Sequence, residues 1–425
     1  MKVLIVNTSE RKGGAAVAAS RLLEALNNHG VKAKMLVRDV DDRQQKRLTV
    51  VPLSGGWRLR WHFLWERFVI WTFLHFRRQH LFDIDIANSS EDITRLAEFQ
   101  EADVIHLHWI NQGMLSLNVI RKILASGKPV VWTMHDIWPA TALCHLTLDC
   151  RQFETGCHHC RLLPGGGGQQ DLACRVWQRK QRMLAAGRVT FVACSEWLAG
   201  EARHSALLQG HEVVSIPNPI NHRTFCPGDR QQARRQLALP SEGRVILFAS
   251  QRVTNAYKGM DFLVEACRLL VERHPDCREQ ISVAVMGGEA DAVASQLPFR
   301  TFPLGYVGSE ERIIQAYQAA DVFVLPSLSE NLPNTIMEAM ACGIPSVAFQ
   351  VGGIPEEIDH RQNGYVARYR DAADLADGLW WTLFEADQET LRQACLQKVA
   401  RCYAQQRVAE KYIEIYENLH HHHHL

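Results

Sequence analysis

Short apolar runs, each about the length of one buried strand, recur along this chain with room for a single helix between neighbours. They fall at 3–6, 34–37, 104–107, 130–134, 189–193 and 213–216. A polar stretch rich in Arg and Gln breaks the pattern near 217–229, and it restarts at 245–249, 282–286, 301–304, 322–325 and 346–348. Runs of Val, Ile and Leu bounded by turn residues suit strands buried on both faces, as in parallel sheets covered by helices. The chain therefore reads as α/β, doubly wound, in two Rossmann-like halves. Ligands of such sheets sit outside the carboxyl ends of the strands, so the site is expected in a cleft between the halves.

At 425 residues the chain exceeds one ordinary core, which also favours two domains. Apolar residues make up 47% and charged residues 22%, which excludes disorder. A net charge of +1 supplies no general attraction to nucleic acid, and no nucleic-acid partner is expected. The first apolar run is too short for a signal peptide, and no stretch approaches the roughly 20 apolar residues of a membrane span. Cys194, Cys267, Cys342 and Cys395 sit inside strand or helix patterns as reduced thiols do, which points to the cytoplasm. The histidine run from His420 resembles an expression tag, and residues 420–425 are set aside.

The most chemically specific stretch runs from Ser327 to Gly343, after the strand at 322–325. Residues 333–341, closed by Gly343, fit a short helix with Pro333 in its first turn. That places Glu330 in the loop and Glu338 on the helix. A loop and first helical turn offer unpaired N–H groups to an anion, and carboxylates beside such an anion bind hydroxyls. Across a bound sugar nucleotide, Glu330 would suit a hexose and Glu338 a ribose. Two exposed glutamates at an ordinary βα turn would look the same in isolation.

After the strand at 245–249, Arg252 and Lys258 precede a helix expected over 260–273, where two cations could hold a diphosphate. Gly13 and Gly14 join the first strand to the first helix and let a phosphate or sugar approach the backbone. The chain lacks Gly-x-Gly-x-x-Gly there, which argues against a nicotinamide enzyme. His135 follows a strand and so also points to the expected cleft. His106 and His108, flanking Leu107, are as readily buried and satisfied as they are acceptor contacts.

Two further features stand apart. Cys144, Cys150, Cys157 and Cys160 crowd one loop, with His145, His158 and His159 among them. A structural zinc is expected there, on the view that so polar a loop needs a cross-link; reduced thiols or two disulfides are the alternatives. Residues 57–78 mix Trp, Phe and Arg at helical spacing. They read as a helix that is apolar nearly all round and packs into the first half for most of its length, or else as a membrane-interface segment.

Glu330 and Glu338 with seven residues between, Ala339-Met-Ala-Cys-Gly-Ile-Pro345, Gly352-Gly353 and Glu356 together resemble the donor-site signature of retaining family-four glycosyltransferases. Arg252-x5-Lys258-Gly259 is similar to that family's phosphate clamp, and the segment from His135 to Cys157 resembles bacterial polysaccharide enzymes of the colanic acid type. The resemblance implies a GT-B fold and a retaining hexosyltransferase of surface-polysaccharide or lipopolysaccharide synthesis. It implies a UDP- or GDP-type sugar donor, a glycan or polyprenyl-linked acceptor and no catalytic metal. Implied catalytic residues are Glu330, Arg252, Lys258 and His135; implied donor contacts are Glu338, Asn331, Leu332, Pro333, Gly13 and Gly14. Asn331-Leu-Pro333 departs from the family's Gly-Phe-Gly, which puts its backbone contacts to the sugar in question. The implied organisation is an acceptor-binding domain over 1–217, containing the Cys-rich loop 144–160, and a nucleotide-sugar domain over 218–403. A helix over 404–419 then returns to the first domain, and a peripheral inner-membrane contact falls on 57–78. Two other classes share these features: a GT-B sugar-nucleotide epimerase and a catalytically silent sugar-nucleotide-binding module.

Overall fold

A computed structural model of the chain describes residues 1–41 and 48–423. His424, in the tag-like run, lies outside the described residues. The first sheet contains β1 (Lys2–Ser9), β2 (Lys32–Asp39), β3 (Val50–Pro52), β4 (Val104–Leu107), β5 (Val130–Met134), β6 (Thr190–Ala193) and β7 (Glu212–Ser215). Its order is β3-β2-β1-β4-β5-β6-β7, and every pairing is parallel. The second contains β8 (Arg244–Arg252), β9 (Ile281–Gly288), β10 (Arg300–Gly305), β11 (Val322–Leu325), β12 (Ser346–Phe349) and β13 (Gly364–Ala367). Its order is β10-β9-β8-β11-β12-β13, again wholly parallel.

The apolar runs make these strands because both of their faces are covered. In β1, Leu4 and Val6 enter one core layer while Val3 and Ile5 enter the other. The sequence reading lacked β3 and β13. Both are edge strands of three or four residues, only partly buried, so neither carries a continuous apolar run.

The chain divides into two compact units, Met1–Pro217 with Val408–Leu425, and Asn218–Arg407. The chain thus re-enters the first unit at Val408, a few residues beyond the expected 404. Within that unit, the helix Gln405–His423 buries Val408, Ala409, Tyr412 and Tyr416 against the face carrying Val3, Ile5, Val104 and Val131.

Two local expectations need correction. Pro333 is the N-cap of the helix Asn334–Ala341, at φ −68 and ψ 120, and not a residue of its first turn. The helix Trp57–Phe73 does not pack for most of its surface: only Leu59, Glu66, Arg67 and Ile70 are buried. The buried side carries two charged residues and the tryptophans Trp57, Trp61 and Trp65 are exposed, so the helix is not apolar all round.

Candidate active site

In the second unit, the chain after β8 and the chain after β11 are pinned together by a glycine. Gly259 has φ +71, and a Cβ there would lie 1.8 Å from the Pro326 carbonyl oxygen, so no larger residue fits. The Leu328 N–H also donates to the Tyr257 carbonyl at 2.8 Å. Gly352, at φ +56, approaches Glu330 in the same way; a Cβ would stand 1.7 Å from the Glu330 carbonyl oxygen. The Gly353 N–H donates to the Asn331 carbonyl at 2.7 Å. Three loops are thereby fixed around Glu330.

Within this frame Lys258 Nζ donates to Glu330 Oε1 at 2.7 Å. Glu338 is buried on the adjacent helix, where Oε2 accepts the Tyr317 hydroxyl at 2.8 Å. No side chain caps the N-terminus of that helix, which follows Asn331, the buried Leu332 and Pro333. Arg252, the last residue of β8, turns elsewhere: its guanidinium donates to both oxygens of Glu289 at 2.9 and 3.0 Å. The structure therefore brings Lys258 and Glu330 together and leaves Arg252 in an exposed ion pair.

Sequence reasoning missed Glu289, Tyr317 and Glu357. Both carboxyl oxygens of Glu357 are buried without a hydrogen-bond partner. Burial first, then the nearby Glu330 and Glu356 charges, hold its pKa well above the carboxylate range, so it is a neutral acid near Glu330. No sequence signal marks Glu289, whose meeting with Arg252 follows from the register of β8 against β9, where Arg252 pairs with Gly288. Nothing in the sequence marks Tyr317 or distinguishes Glu357 from Glu356.

In the first unit, Gly13 caps the helix Gly14–Asn28 at φ +96 with open space where a Cβ would be. His135 follows β5; its Nε2 lies 2.9 Å from His108 Nδ1, and its Nδ1 lies 3.7 Å from Cys194 Sγ. Burial lowers its pKa, so the imidazole is neutral at pH 7. His106 is a satisfied core residue, with Tyr416 Oη and Thr133 Oγ1 at 2.6 and 2.7 Å from its two nitrogens.

Asp136 begins a buried chain of charges that the sequence did not announce. Its Oδ2 lies 2.7 Å from His145 Nδ1 and accepts the Trp109 indole N–H at 3.1 Å. His145 Nε2 is 2.6 Å from Asp85 Oδ2, and Asp85 also pairs with Arg67. Burial alone would lower the His145 pKa, but Asp136 and Asp85 outweigh it and carry it to about 10.

This chain removes His145 from the set of metal ligands, since both ring nitrogens are engaged. Among the described residues no three His, Cys, Asp or Glu side chains are grouped to hold a metal ion, while Cys144, Cys150, Cys157 and Cys160 lie near enough to raise one another's thiol pKa values, so a structural zinc on these four thiols stays a proposal. All four cysteines are free and partly buried. The loop has further anchors. Ala142, Leu143, Phe153 and Leu163 enter the core, and Asp171 Oδ2 accepts the Cys160 N–H at 2.8 Å. Arg151 pairs with Glu154 and Glu201, and Arg161 with Asp149.

Two wholly parallel sheets with a last helix packed on the first unit define a GT-B-type protein. Solved structures agree over almost the whole chain: sucrose-phosphate synthase from Thermosynechococcus elongatus has a TM-score of 0.68 at 20% identity, covering 99% of each chain. Anabaena HepE, solved in complex with UDP, has a TM-score of 0.62 at 16% identity, covering 98% of this chain and 100% of that one. At these identities the likeness concerns the fold. The Glycosyltransferase Family 4 model matches residues 12–224 and the Glycosyl transferases group 1 model matches 243–383, and the chain belongs to glycosyltransferase family 4. Among sequence relatives, the D-inositol 3-phosphate glycosyltransferase of Corynebacterium jeikeium is 28% identical over 50% of this chain and 54% of its own. That of Thermobispora bispora is 29% identical over 75% and 72%. The chain spans about half the length of several curated relatives it matches.

Proposed function

We propose that this protein is a retaining hexosyltransferase that moves a sugar from a UDP- or GDP-type donor to a hydroxyl of a lipid-linked glycan in bacterial surface-polysaccharide synthesis. The Lys258–Glu330 contact of 2.7 Å carries the reading. An ammonium neutralises phosphate and a carboxylate accepts sugar hydroxyls, so one pair supplies both recognition elements of a sugar nucleotide. Family membership supports it, and the HepE structures named with UDP and UDP-glucose favour a uridine donor.

In this scheme the acceptor hydroxyl attacks the anomeric carbon on the face from which the diphosphate departs. The bond from that carbon to the phosphate oxygen breaks as the glycosidic bond forms, and the hydroxyl's proton passes to the leaving oxygen. Lys258, joined by Arg252 on release from Glu289, neutralises the charge growing there, so the scheme calls on no metal. Glu330 is assigned the hexose hydroxyls and Glu338 the ribose. Asn331, Leu332 and Pro333 carry backbone contacts, and Gly13, Gly14 and His135 are the candidates in the first unit.

The test incubates the protein with UDP- and GDP-hexoses, with and without a lipid-linked glycan, and measures nucleoside diphosphate release. Acceptor-dependent release is expected. Turnover without acceptor would favour epimerisation or hydrolysis, and binding without turnover a silent module. The relatives' printed name favours a second acceptor reading, and inositol 3-phosphate belongs in the same assay.

A further inference from the structure

The helix Trp57–Phe73 is inside out for a helix on a water-facing surface. Trp57, Trp61, Leu64, Trp65 and Phe68 fall at i, i+4, i+7, i+8 and i+11, a single stripe about 100° wide. All five are exposed, at 75%, 47%, 58%, 40% and 50%. The opposite face carries the charges. Glu66 Oε1 accepts the N–H groups of Ile86 and Ala87, both at 2.9 Å. Arg67 donates to the carbonyls of Leu81 and Ile84 at 2.6 and 3.2 Å and pairs with Asp85. These bonds fix the helix about its own axis, so it cannot roll to bury its tryptophans without leaving Glu66 and Arg67 unpaired.

The exposed rings form one continuous surface. Trp61 stacks on Trp65 with centroids 5.5 Å apart, and Trp65 on Phe68 at 5.9 Å. The ring contacts continue past the stripe, from Phe68 to Trp71 at 6.4 Å and from Trp71 to Phe76 at 4.9 Å, with Phe76, beyond the helix, 62% exposed. Basic residues border it. Arg60, Arg77 and Arg78 are exposed and have no ion-pair partner among the described residues. The nearby carboxylates are already engaged, Glu91 with Arg58 and His62, and Asp83 with His80.

We infer that this face docks on the anionic interface of a lipid bilayer. Tryptophan rings occupy the headgroup boundary, where one part of the ring is apolar and the indole N–H stays wet. The three uncompensated arginines complement lipid phosphates. The helix lies on the surface, since among the described residues no helix is long and apolar enough to cross a membrane. A second copy of this chain is the less suited occupant, because face-to-face pairing would oppose the same unpaired arginines. The inference is independent of the donor assignment, as vesicle binding needs no turnover.

The test is co-sedimentation of the full chain with phosphatidylcholine–phosphatidylglycerol vesicles and with pure phosphatidylcholine vesicles, together with tryptophan emission. Binding to the anionic vesicles with a blue shift is expected, and little binding to the neutral ones. Trp61→Ala with Trp65→Ala, and separately Arg77→Ala with Arg78→Ala, should each weaken binding by about tenfold or more. Circular dichroism and melting temperature establish that each variant is folded. Absence of vesicle binding, wild-type binding by both folded double variants, or self-association without vesicle binding would each overturn the proposal.

Discussion

Lys258 and Glu330 are 72 residues apart in the chain and 2.7 Å apart in space, and their contact is partly open to solvent, at 30% and 13% side-chain exposure. A pair so placed contributes only about 0–1 kcal/mol to folding. Lys258→Ala and Glu330→Ala should therefore keep near-wild-type melting temperatures while turnover falls by about 10²–10³-fold. Steady-state rates on folded protein decide this, and near-normal turnover in either variant removes that residue from the site. Glu357 makes the opposite case. Its acid is already neutral in the fold, so Glu357→Gln should leave stability nearly unchanged below about pH 4, where the unfolded carboxyl is protonated too, and should raise it at pH 7. A folded pKa raised above the unfolded value means that wild-type stability falls as pH rises above the unfolded carboxyl pKa, and Glu357→Gln should flatten that fall in denaturant titrations. Glu330 and Lys258 were legible because each has a fixed offset from a strand end and a helix start. The pairing of Arg252 with Glu289 was not, because it arises from the register of β8 against β9 and not from spacing along the chain.

Elements with long apolar runs were legible for the same kind of reason: burial on both faces forces a continuous pattern. The Trp57–Phe73 helix was misread because composition reports how apolar a helix is and not which side faces the core. What orients it is the charge chain from Glu66 and Arg67 through Asp85 and His145 to Asp136. This chain ties the helix to the turn after β5, immediately beside His135. Its central member carries a pH signature. The folded pKa of His145, about 10, lies above the ordinary histidine value of about 6.5. Its stabilisation is therefore complete below about pH 6.5 and is lost as pH rises towards 10. Lys180 runs the other way: burial lowers its pKa to about 7, so its contribution grows as pH rises above that value. The two are separated by comparing wild type with His145→Gln, in which the Lys180 contribution is shared. The variant should lose about 1–3 kcal/mol near pH 6.5, with the difference shrinking towards pH 10. A pH-independent difference in urea denaturation would mean that His145 is not held protonated.

The molecule as a whole is an insertion: the second unit is one contiguous segment, Asn218–Arg407, while the first is assembled from both ends of the chain. The two units should therefore differ in autonomy. A segment limited to 218–407 retains all six strands of its sheet and its own core, and is expected to melt cooperatively when made alone. If the donor assignment holds, UDP or GDP should raise its melting temperature. Residues 1–217 alone lose the helix that covers Val3, Ile5, Val104 and Val131, and with it two buried tyrosines. Removing each of these aromatic side chains costs about 3–5 kcal/mol, which together approaches the stability of a whole domain. The isolated segment should accordingly aggregate or bind a hydrophobic dye. The polar part of the same contact is testable in the intact chain. Tyr416 Oη is 2.6 Å from His106 Nδ1, and Thr133 Oγ1 lies 2.9 Å from Tyr412 Oη, all in a buried cluster. Tyr416→Phe keeps the ring and leaves the His106 nitrogen without a partner, an expected loss of about 1–3 kcal/mol in urea denaturation. Wild-type stability in Tyr416→Phe, together with a well-folded 1–217 segment, would mean that the last helix is an accessory of the first unit and not part of its core.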